Sequence, residues 1–321
     1  MAGTTDTPAP QVVYRFLGKS GLKVSNICLG TMTFGKSTAM EHGPTQRDKA
    51  ESHAIMDRFV NLGGNFIDTA NVYSKGLSEE IVGTWLKKQK RENFVIATKV
   101  RAMMGSGPND TGLSRRHILQ MCEDSLRRLQ TDYIDLYQQQ YSLLCRHPEL
   151  EEFQVCRNEG VGVLPWSPLK GGLLTGKFKR GAKPESDGSR IGFTAAKESS
   201  RSVQSSPGWS KYEDNDFYWN LVDVMSKMAI NHGKSVPQVA LRWLLQKNVV
   251  SSVIIGVTSI KQLEDNMGAG TGWTLTTEEM DELDKTSSVE LPYPYELVFR
   301  HNKDRKNPFL GTSSFVENTQ E

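Results

Sequence analysis

The stretch Tyr133–Arg146, YIDLYQQQYSLLCR, decides how the rest of the chain is read. Tyr133, Ile134, Leu136 and Tyr137 are strand formers behind a short turn at Thr131–Asp132, so a buried strand is expected. In an α/β protein a loop and then a helix should follow. Instead, three glutamines lead straight into a second strand-like run, Tyr141-Ser142-Leu143-Leu144, with no helix between.

Upstream, Tyr14, Phe16, a Lys-Ser-Gly turn, Leu22 and Val24 predict a hairpin, and Ile27-Cys28-Leu29 a strand. Apolar residues at helical spacing predict a helix over 47–62 that stops at Gly63-Gly64. Strands are expected over 65–70 and 94–99, and helices over 78–90 and 114–129. The helix at 78 would have Ser78 as its N-cap and Glu79-Glu80 in its first turn. Downstream, the pattern predicts a helix over 148–158, a strand over 161–166 and a Gly/Ser/Lys-rich loop over 177–210. Helices over 214–231 and 236–247, a strand at 253–256, and helices over 259–267 and 277–287 follow, then a Pro-rich charged tail. Such alternation points to parallel strands joined by right-handed crossovers, and the 30–40 residue spacing of the early strands suits one barrel unit. A full barrel needs eight strands. Six stand out, near 27, 66, 95, 134, 163 and 254, with the QQQYSLL run a weaker seventh.

At 321 residues one α/β barrel suffices as a single domain. The expected division is a disordered tail over 1–11, a barrel domain over 12–290 and a C-terminal tail over 291–321. With 39 Lys+Arg against 37 Asp+Glu, the net charge of +2 gives no field toward nucleic acid or an anionic membrane. The apolar run VVSSVIIGV (249–257) is far too short for membrane insertion, and MAGTTDTPAP lacks the basic start and apolar core of a signal. The four cysteines show no zinc spacing and read as free thiols, so no metal is expected and the chain reads as cytoplasmic.

Three residues carry candidate chemistry. FIDTANVYSKG puts Asp68 at a strand end and Tyr73 in the loop after it, and VIATK puts Lys99 at the end of the next strand. In a barrel those ends carry the site. A lysine there needs a carboxylate partner, and a cation beside a phenol lowers the phenol pKa toward the range of a working proton donor. Residue types alone leave two readings open: a stabilising ion pair with a rim aromatic, or an acid–base site. One competing motif is dismissed. Gly171–Phe178, GGLLTGKF, nearly spells a phosphate-binding P-loop, but Phe178 cannot ligate magnesium.

Order and spacing favour the second reading. D-T-A-x-x-Y, then S-E-x-x-x-G, then A-T-K resembles the aldo-keto reductase superfamily. So do GTMTFG (30–35), YIDLY (133–137), WSPLKGGLLTGK (166–177), SVPQVALRW (235–243) and IIGVTSIKQLEDN (254–266). The resemblance implies a (β/α)8 TIM barrel, NADPH as cofactor and a small-molecule carbonyl substrate, an aldehyde or ketone. Asp68, Tyr73 and Lys99 match three of the family's four catalytic residues, with Tyr73 as proton donor. Thr31, Met32 and Asp68 match positions near the nicotinamide ribose. Trp166, Ser167, Pro168, Leu169 and Gly171 match the loop along the pyrophosphate, and Lys177 and Arg190 the basic loop folded over the cofactor. Gly256, Thr258, Gln262, Asp265 and Asn266 match the turn that holds the adenosine phosphate, where a helix N-terminus helps. The same barrel serves as the cytoplasmic beta subunit of voltage-gated potassium channels, so a protein partner is the alternative use of this fold.

The fourth catalytic residue of the family, a histidine just past the YIDLY strand, is replaced here by the glutamines, and His147 reads as a helix-start residue. The family's G-x-S-N strand end is absent as well. What resumes resembles the sixth strand, with Gln138 matching a carboxamide-contacting glutamine and Tyr141 a tyrosine that stacks near the nicotinamide. The resemblance therefore implies a barrel short of about two βα units, with catalysis impaired, or an isoform that folds poorly.

Overall fold

The computed structural model describes residues 11–36, 45–132, 139–150, 152–185, 190–195, 208–291 and 293–302. Apolar runs between turns form the strands β1 (Tyr14–Phe16), β2 (Lys23–Ser25), β3 (Ile27–Gly30), β4 (Phe66–Asp68), β5 (Val95–Ala97), β6 (Gln139–Gln140), β7 (Pro165–Trp166) and β8 (Val253–Gly256). Between and after them come α1 (Lys49–Asn61), α2 (Leu77–Leu86), α3 (Arg115–Leu129), α4 (Glu152–Glu159), α5 (Arg190–Ala195), α6 (Asp216–His232), α7 (Val236–Leu245), α8 (Ile260–Met267), α9 (Thr277–Thr286) and α10 (Tyr295–Asn302). The strand expected at 133–137, and Gln138, lie outside the described residues.

β1 and β2 form the antiparallel hairpin, and the rest of the ladder is parallel. The order β5-β4-β3-β8 makes one sheet, and β6 pairs with β7. Val163, just before β7, bridges Val250 in parallel, so the β7 segment runs alongside the approach to β8. This is the fold class the sequence implied: α/β, with a parallel sheet and helical crossovers.

Alternate strand residues are buried on opposite sides of the sheet. Ile27, Leu29, Ile67, Ile96, Val253 and Ile255 join the large apolar cluster that includes the helices. Cys28, Phe66, Val95, Ala97, Leu164 and Ile254 form a second cluster with Leu17 and Val24 from the hairpin region. A sheet buried on both faces reads in sequence as unbroken apolar runs, which is why VIIG shows no alternation.

Four expectations are corrected. First, α2 begins one residue before Ser78, behind Gly76 at φ 94. The Ser78 hydroxyl is no cap; it is buried and donates to the Thr31 carbonyl at 2.9 Å. Its neighbour Glu79 is fully buried, accepting from Thr98 Oγ1 at 2.6 Å and from Arg128 Nε at 2.6 Å. Second, Tyr141–Leu144 is not a strand. Ser142 and Cys145 pair with each other through both backbone groups, and the Ser142 hydroxyl accepts from Leu144 N–H, so local hydrogen bonds win over a ladder. Third, Tyr141 is fully buried and lies 4.6 Å from Phe153 and 5.3 Å from Trp243, ring to ring, with its hydroxyl donating to Glu149. That ring belongs to the core beside α4 and α7 rather than to a cofactor face. Fourth, the long loop contains α5 and the C-terminal tail contains α10, helices of six and eight residues that periodicity did not reveal.

The segment after the glutamines is anchored by charge. Arg146 holds Glu149 bidentately at 2.7 and 2.8 Å, and its Nη1 donates to the Asp284 carbonyl at 3.0 Å and Ser287 Oγ at 2.9 Å. Asp284 also accepts from Trp243 Nε1 and Lys247 Nζ, each at 2.9 Å. These bonds tie the 3-10 turn His147–Glu149 to α7 and α9.

At Gly83, α2 lies close against the backbone at the end of α3. A Cβ there would stand 2.3 Å from the Arg128 carbonyl oxygen and 2.8 Å from Leu129 C, both backbone. Alanine normally strengthens a helix by about 1 kcal/mol over glycine. Here overpacking should reverse the sign, so Gly83→Ala is expected to lower stability by about 1–3 kcal/mol in urea denaturation. A stabilised Gly83→Ala would show that the two helices do not meet as closely as described.

Candidate active site

Parallel register places the chemistry. Asp68 pairs with Ala97 across β4 and β5, and the pairing continues as Thr69 N–H donates to Ala97 O at 2.8 Å and Asn71 N–H to Lys99 O at 3.2 Å. Lys99, two residues past β5, therefore reaches back over the end of β4. Its Nζ donates to both oxygens of Asp68 at 2.8 and 2.7 Å, to the Thr69 carbonyl at 2.8 Å and to Tyr73 Oη at 3.3 Å. Tyr73 opens the 3-10 turn Tyr73–Gly76, in which Ser74 and Lys75 take positive φ. The Lys99 ammonium also lies 5.0 Å from the Tyr73 ring centroid, within cation–π range.

Asp68 is buried, whereas the Lys99 side chain is 34% exposed. Burial works against the ammonium, but the Asp68 carboxylate, with Tyr73 and the hydrogen bonds to both, raises the Lys99 pKa above its ordinary value. The phenol behaves otherwise than the sequence suggested. Burial raises the Tyr73 pKa above 10, and the lowering by Lys99, and more weakly by Arg190, does not offset it. Tyr73 is therefore a neutral phenol whose oxygen accepts a hydrogen bond from the Lys99 ammonium.

The other residues named from sequence fall into three groups. Thr31 is buried, with its hydroxyl bonded to the Asp68 carbonyl at 3.1 Å and paired with Ser78 Oγ at 2.8 Å, so it fastens the end of β3 to the end of β4 and to α2. Met32 meets Arg190 Nη2 at 3.6 Å through sulfur, and Arg190 lies within electrostatic reach of Tyr73. Trp166 is exposed at the end of β7, Ser167 takes φ 54, and Pro168 and Leu169 lead into the turn Lys170–Thr175, where Gly171 has φ 69. Lys177 is exposed beside that turn. Past β8, Gly256 leaves open space where a Cβ would be. The Gln262 side chain accepts from Thr258 N–H at 2.8 Å and Oγ1 at 2.9 Å, bracing the start of α8. Asp265 and Asn266 face inward: Asp265 accepts from Ser235 Oγ at 2.8 Å, and Asn266 is buried. The Asp265 carboxylate is thus engaged with α7 rather than held open.

Sequence reading missed two supports of this site. Glu79 holds Thr98, the residue before Lys99, and so fixes which way Lys99 turns. Arg47 Nε donates to the Thr258 carbonyl at 2.7 Å, joining the entry to α1 to the turn after β8. Neither residue sits in a position whose local pattern announces a distant partner.

An anionic dinucleotide suits the cations at this mouth. Burial lowers the pKa of Arg190, and among the described residues no carboxylate acts on either its guanidinium or the Lys177 ammonium. Gly171 turns the chain without a side chain at the same place. Among the described residues no group of three or more His, Cys, Asp or Glu could hold a metal ion, and no helix is long and apolar enough to cross a membrane.

Comparison with known proteins agrees with the geometry. The model of the aldo/keto reductase family matches residues 26–139 and 137–288. An uncharacterized oxidoreductase of Bacillus subtilis (strain 168), YrpG, is 31% identical over 324 residues, covering 80% of this chain and 90% of that protein. A probable voltage-gated potassium channel subunit beta of Arabidopsis thaliana is 31% identical over 319 residues, covering 80% and 90% respectively. One of the same description from Oryza sativa subsp. japonica is 30% identical over 339 residues, covering 86% and 96%.

The electrostatics give a direct test. Tyr73, labelled for NMR and titrated in the unliganded protein, should ionise above pH 10. Lys99→Met should push that titration higher still, because it removes the neighbouring cation and leaves Asp68 unpaired beside the phenol. A Tyr73 that titrates at or below its ordinary value, or a downward shift in the variant, would contradict the arrangement.

Proposed function

This chain belongs to the aldo/keto reductase family, a family of oxidoreductases, and on that footing we propose that it reduces aldehydes or ketones to alcohols with NADPH. The single observation that carries the proposal is the meeting of Lys99 Nζ with Asp68 and Tyr73 Oη at the ends of β4 and β5. NADPH, when bound, supplies the hydride. Tyr73 gives its proton to the carbonyl oxygen as charge develops there. A phenol pKa raised by burial keeps that proton in place beforehand, and Lys99 stabilises the phenolate left behind. Asp68 holds the ammonium at both oxygens and so keeps the cation beside the phenol. Lys177, Arg190 and the backbone around Gly171 would hold the cofactor phosphates, and the start of α8 the adenosine end.

We further infer that the barrel is short by two βα units and that catalysis is weakened accordingly. The family match divides at 137–139, beside Gln138. The 324 residues aligned with the Bacillus subtilis relative exceed the 80% of 321 residues that this chain contributes by about 65, close to two units of roughly 30. The Arabidopsis thaliana alignment has a surplus of similar size. The removed segment would have carried the histidine that orients the carbonyl, a donor of a kind worth about 10²–10³ in rate. Loosened seating of the nicotinamide adds to that loss, since about 1 Å of misplacement can cost roughly a hundredfold.

A second reading is favoured by the names of two of the relatives, which are described as potassium channel beta subunits. On that reading the chain binds NADPH and acts by docking to a protein partner, with little turnover of its own.

Oxidation of NADPH by a panel of aldehydes separates these outcomes. Slow but saturable turnover is expected, at least about a hundredfold below ordinary reductases. Tyr73→Phe should reduce it by a further ~10²–10⁴ while leaving intact the rise in melting temperature that NADPH produces. Ordinary reductase rates would refute the impairment, and a melting temperature indifferent to NADPH would refute both readings.

A further inference from the structure

The turn that presents Tyr73 runs through two residues in a backbone shape that side chains disfavour: Ser74 has φ 49 and Lys75 φ 55. Glycine takes such left-handed angles at no steric cost, but other residues stay there only where their surroundings hold them. What grips Ser74 is a second segment of chain, residues 34–35 and 46–47. The buried Ser74 hydroxyl lies 3.1 Å from the Phe34 carbonyl and 2.9 Å from that of Gly35, sharing its one proton between them. The approach needs bare backbone on the other side. A Cβ on Gly35, at φ 102, would stand 2.8 Å from Ser74 Cβ.

Gln46 closes this contact. Its Nε2 donates to the Gly35 carbonyl at 2.8 Å and to Ser74 Oγ at 3.1 Å. The residue is 3% exposed, and its Oε1 is a buried acceptor with no donor among the described residues. An acceptor left unmet in the interior is costly, and turning the amide over would only set Oε1 against the Gly35 carbonyl. The side chain therefore forgoes its own acceptor to place its N–H groups on the turn. The segment it acts from is itself fixed. The Arg47 carbonyl accepts from Gly35 N–H at 2.9 Å and Lys36 N–H at 3.1 Å, and Arg47 N–H donates to the Thr33 carbonyl at 2.7 Å. The Arg47 side chain is tied in turn to the Thr258 carbonyl at 2.7 Å.

We propose that Gln46 is a positioning residue for Tyr73: through Ser74 it holds the turn that keeps the phenol beside Lys99. Its hydrogen bonds end at Gly35 and Ser74, one residue short of the phenol, so it acts through the backbone of the turn. Its effect on turnover rests on the proposed reduction, whereas its hold on Tyr73 does not.

NMR titration of labelled Tyr73 in the full chain, without added cofactor, reads that hold in the absence of turnover. Gln46→Met removes the donors at similar volume. Once released, the phenol should gain water and draw away from Lys99. Desolvation is the largest influence on it and raises its pKa, so the titration should fall toward the ordinary value. With an aldehyde that the unaltered protein reduces, kcat should drop at least about tenfold while the KM for NADPH stays the same. Ser74→Gly tolerates the left-handed backbone and loses only the hydroxyl. It should reproduce both changes, and the double variant should be no worse than either single one. A Tyr73 titration that stays in place or rises in Gln46→Met overturns the proposal, as do additive effects in the double variant. A residue serving stability alone would lower the melting temperature and leave the titration unmoved. Should Gln46→Met fail to fold, the Ser74→Gly titration decides: a fall supports the assignment and an unmoved one removes it. A falling titration in a protein without turnover would refute the reduction and retain the placement of Tyr73 by Gln46.

Discussion

The register of β4 against β5 is the constraint on which the rest depends. Asp68 opposite Ala97 puts Lys99 one pleat beyond the ladder, near enough to fold back onto the carboxylate. A slip of one residue would turn Lys99 to the other face of the sheet and leave Asp68 buried without a partner. Thr98 guards against that slip. Its hydroxyl donates to Glu79, which Arg128 neutralises, so the residue before Lys99 is pinned toward the helices and alternation turns the lysine inward. The close seating of α3 on α2 at Gly83 is what brings Arg128 there. A stability feature of the helical layer and the geometry of the candidate site are thus one arrangement.

That arrangement also explains why a phenol beside an ammonium has a raised pKa. Two effects of opposite sign act on Tyr73, and desolvation is the larger. Residue types reveal the cation but not the depth of burial, so sequence reasoning obtained the neighbour and missed the sign. For a group that must begin protonated and lose its proton only as the carbonyl is reduced, the observed direction is the serviceable one. A phenol already ionised could not be the donor.

What was legible in the sequence followed from local rules. Strand ends at Asp68 and Lys99 were marked by apolar runs that stop, and the helices expected over 214–231 and 259–267, found at Asp216–His232 and Ile260–Met267, by their residue pattern. What escaped depends on partners distant in the chain. Ser78 and Glu79 look like a cap and a first-turn acid because the residues that claim them, Thr31 and Arg128, are 47 and 49 positions away. Tyr141 was assigned to the cofactor face by its place in a motif, yet the buried Glu149 and the rings of Phe153 and Trp243 claim it. In each case a buried polar group chose the partner that satisfied it over the one its motif suggested.

The chain from Gln139 onward carries anchors of its own. β6 pairs with β7, the Ser142–Cys145 turn closes on itself, and Arg146 ties Glu149 to Ser287 and the backbone of Asp284. The upstream half has its own closure in β3, β4, β5 and the α2–α3 contact. The two halves meet through β3 and β8, which pair along all four residues of each strand. Under the proposed shortening, therefore, the missing units would remove little that either half needs for its own core. Their loss would fall on the mouth, where a carbonyl-orienting group and a strand end are needed together and no neighbouring residue can supply both. Folding and catalysis would be separated by the same deletion, with the core kept and turnover reduced.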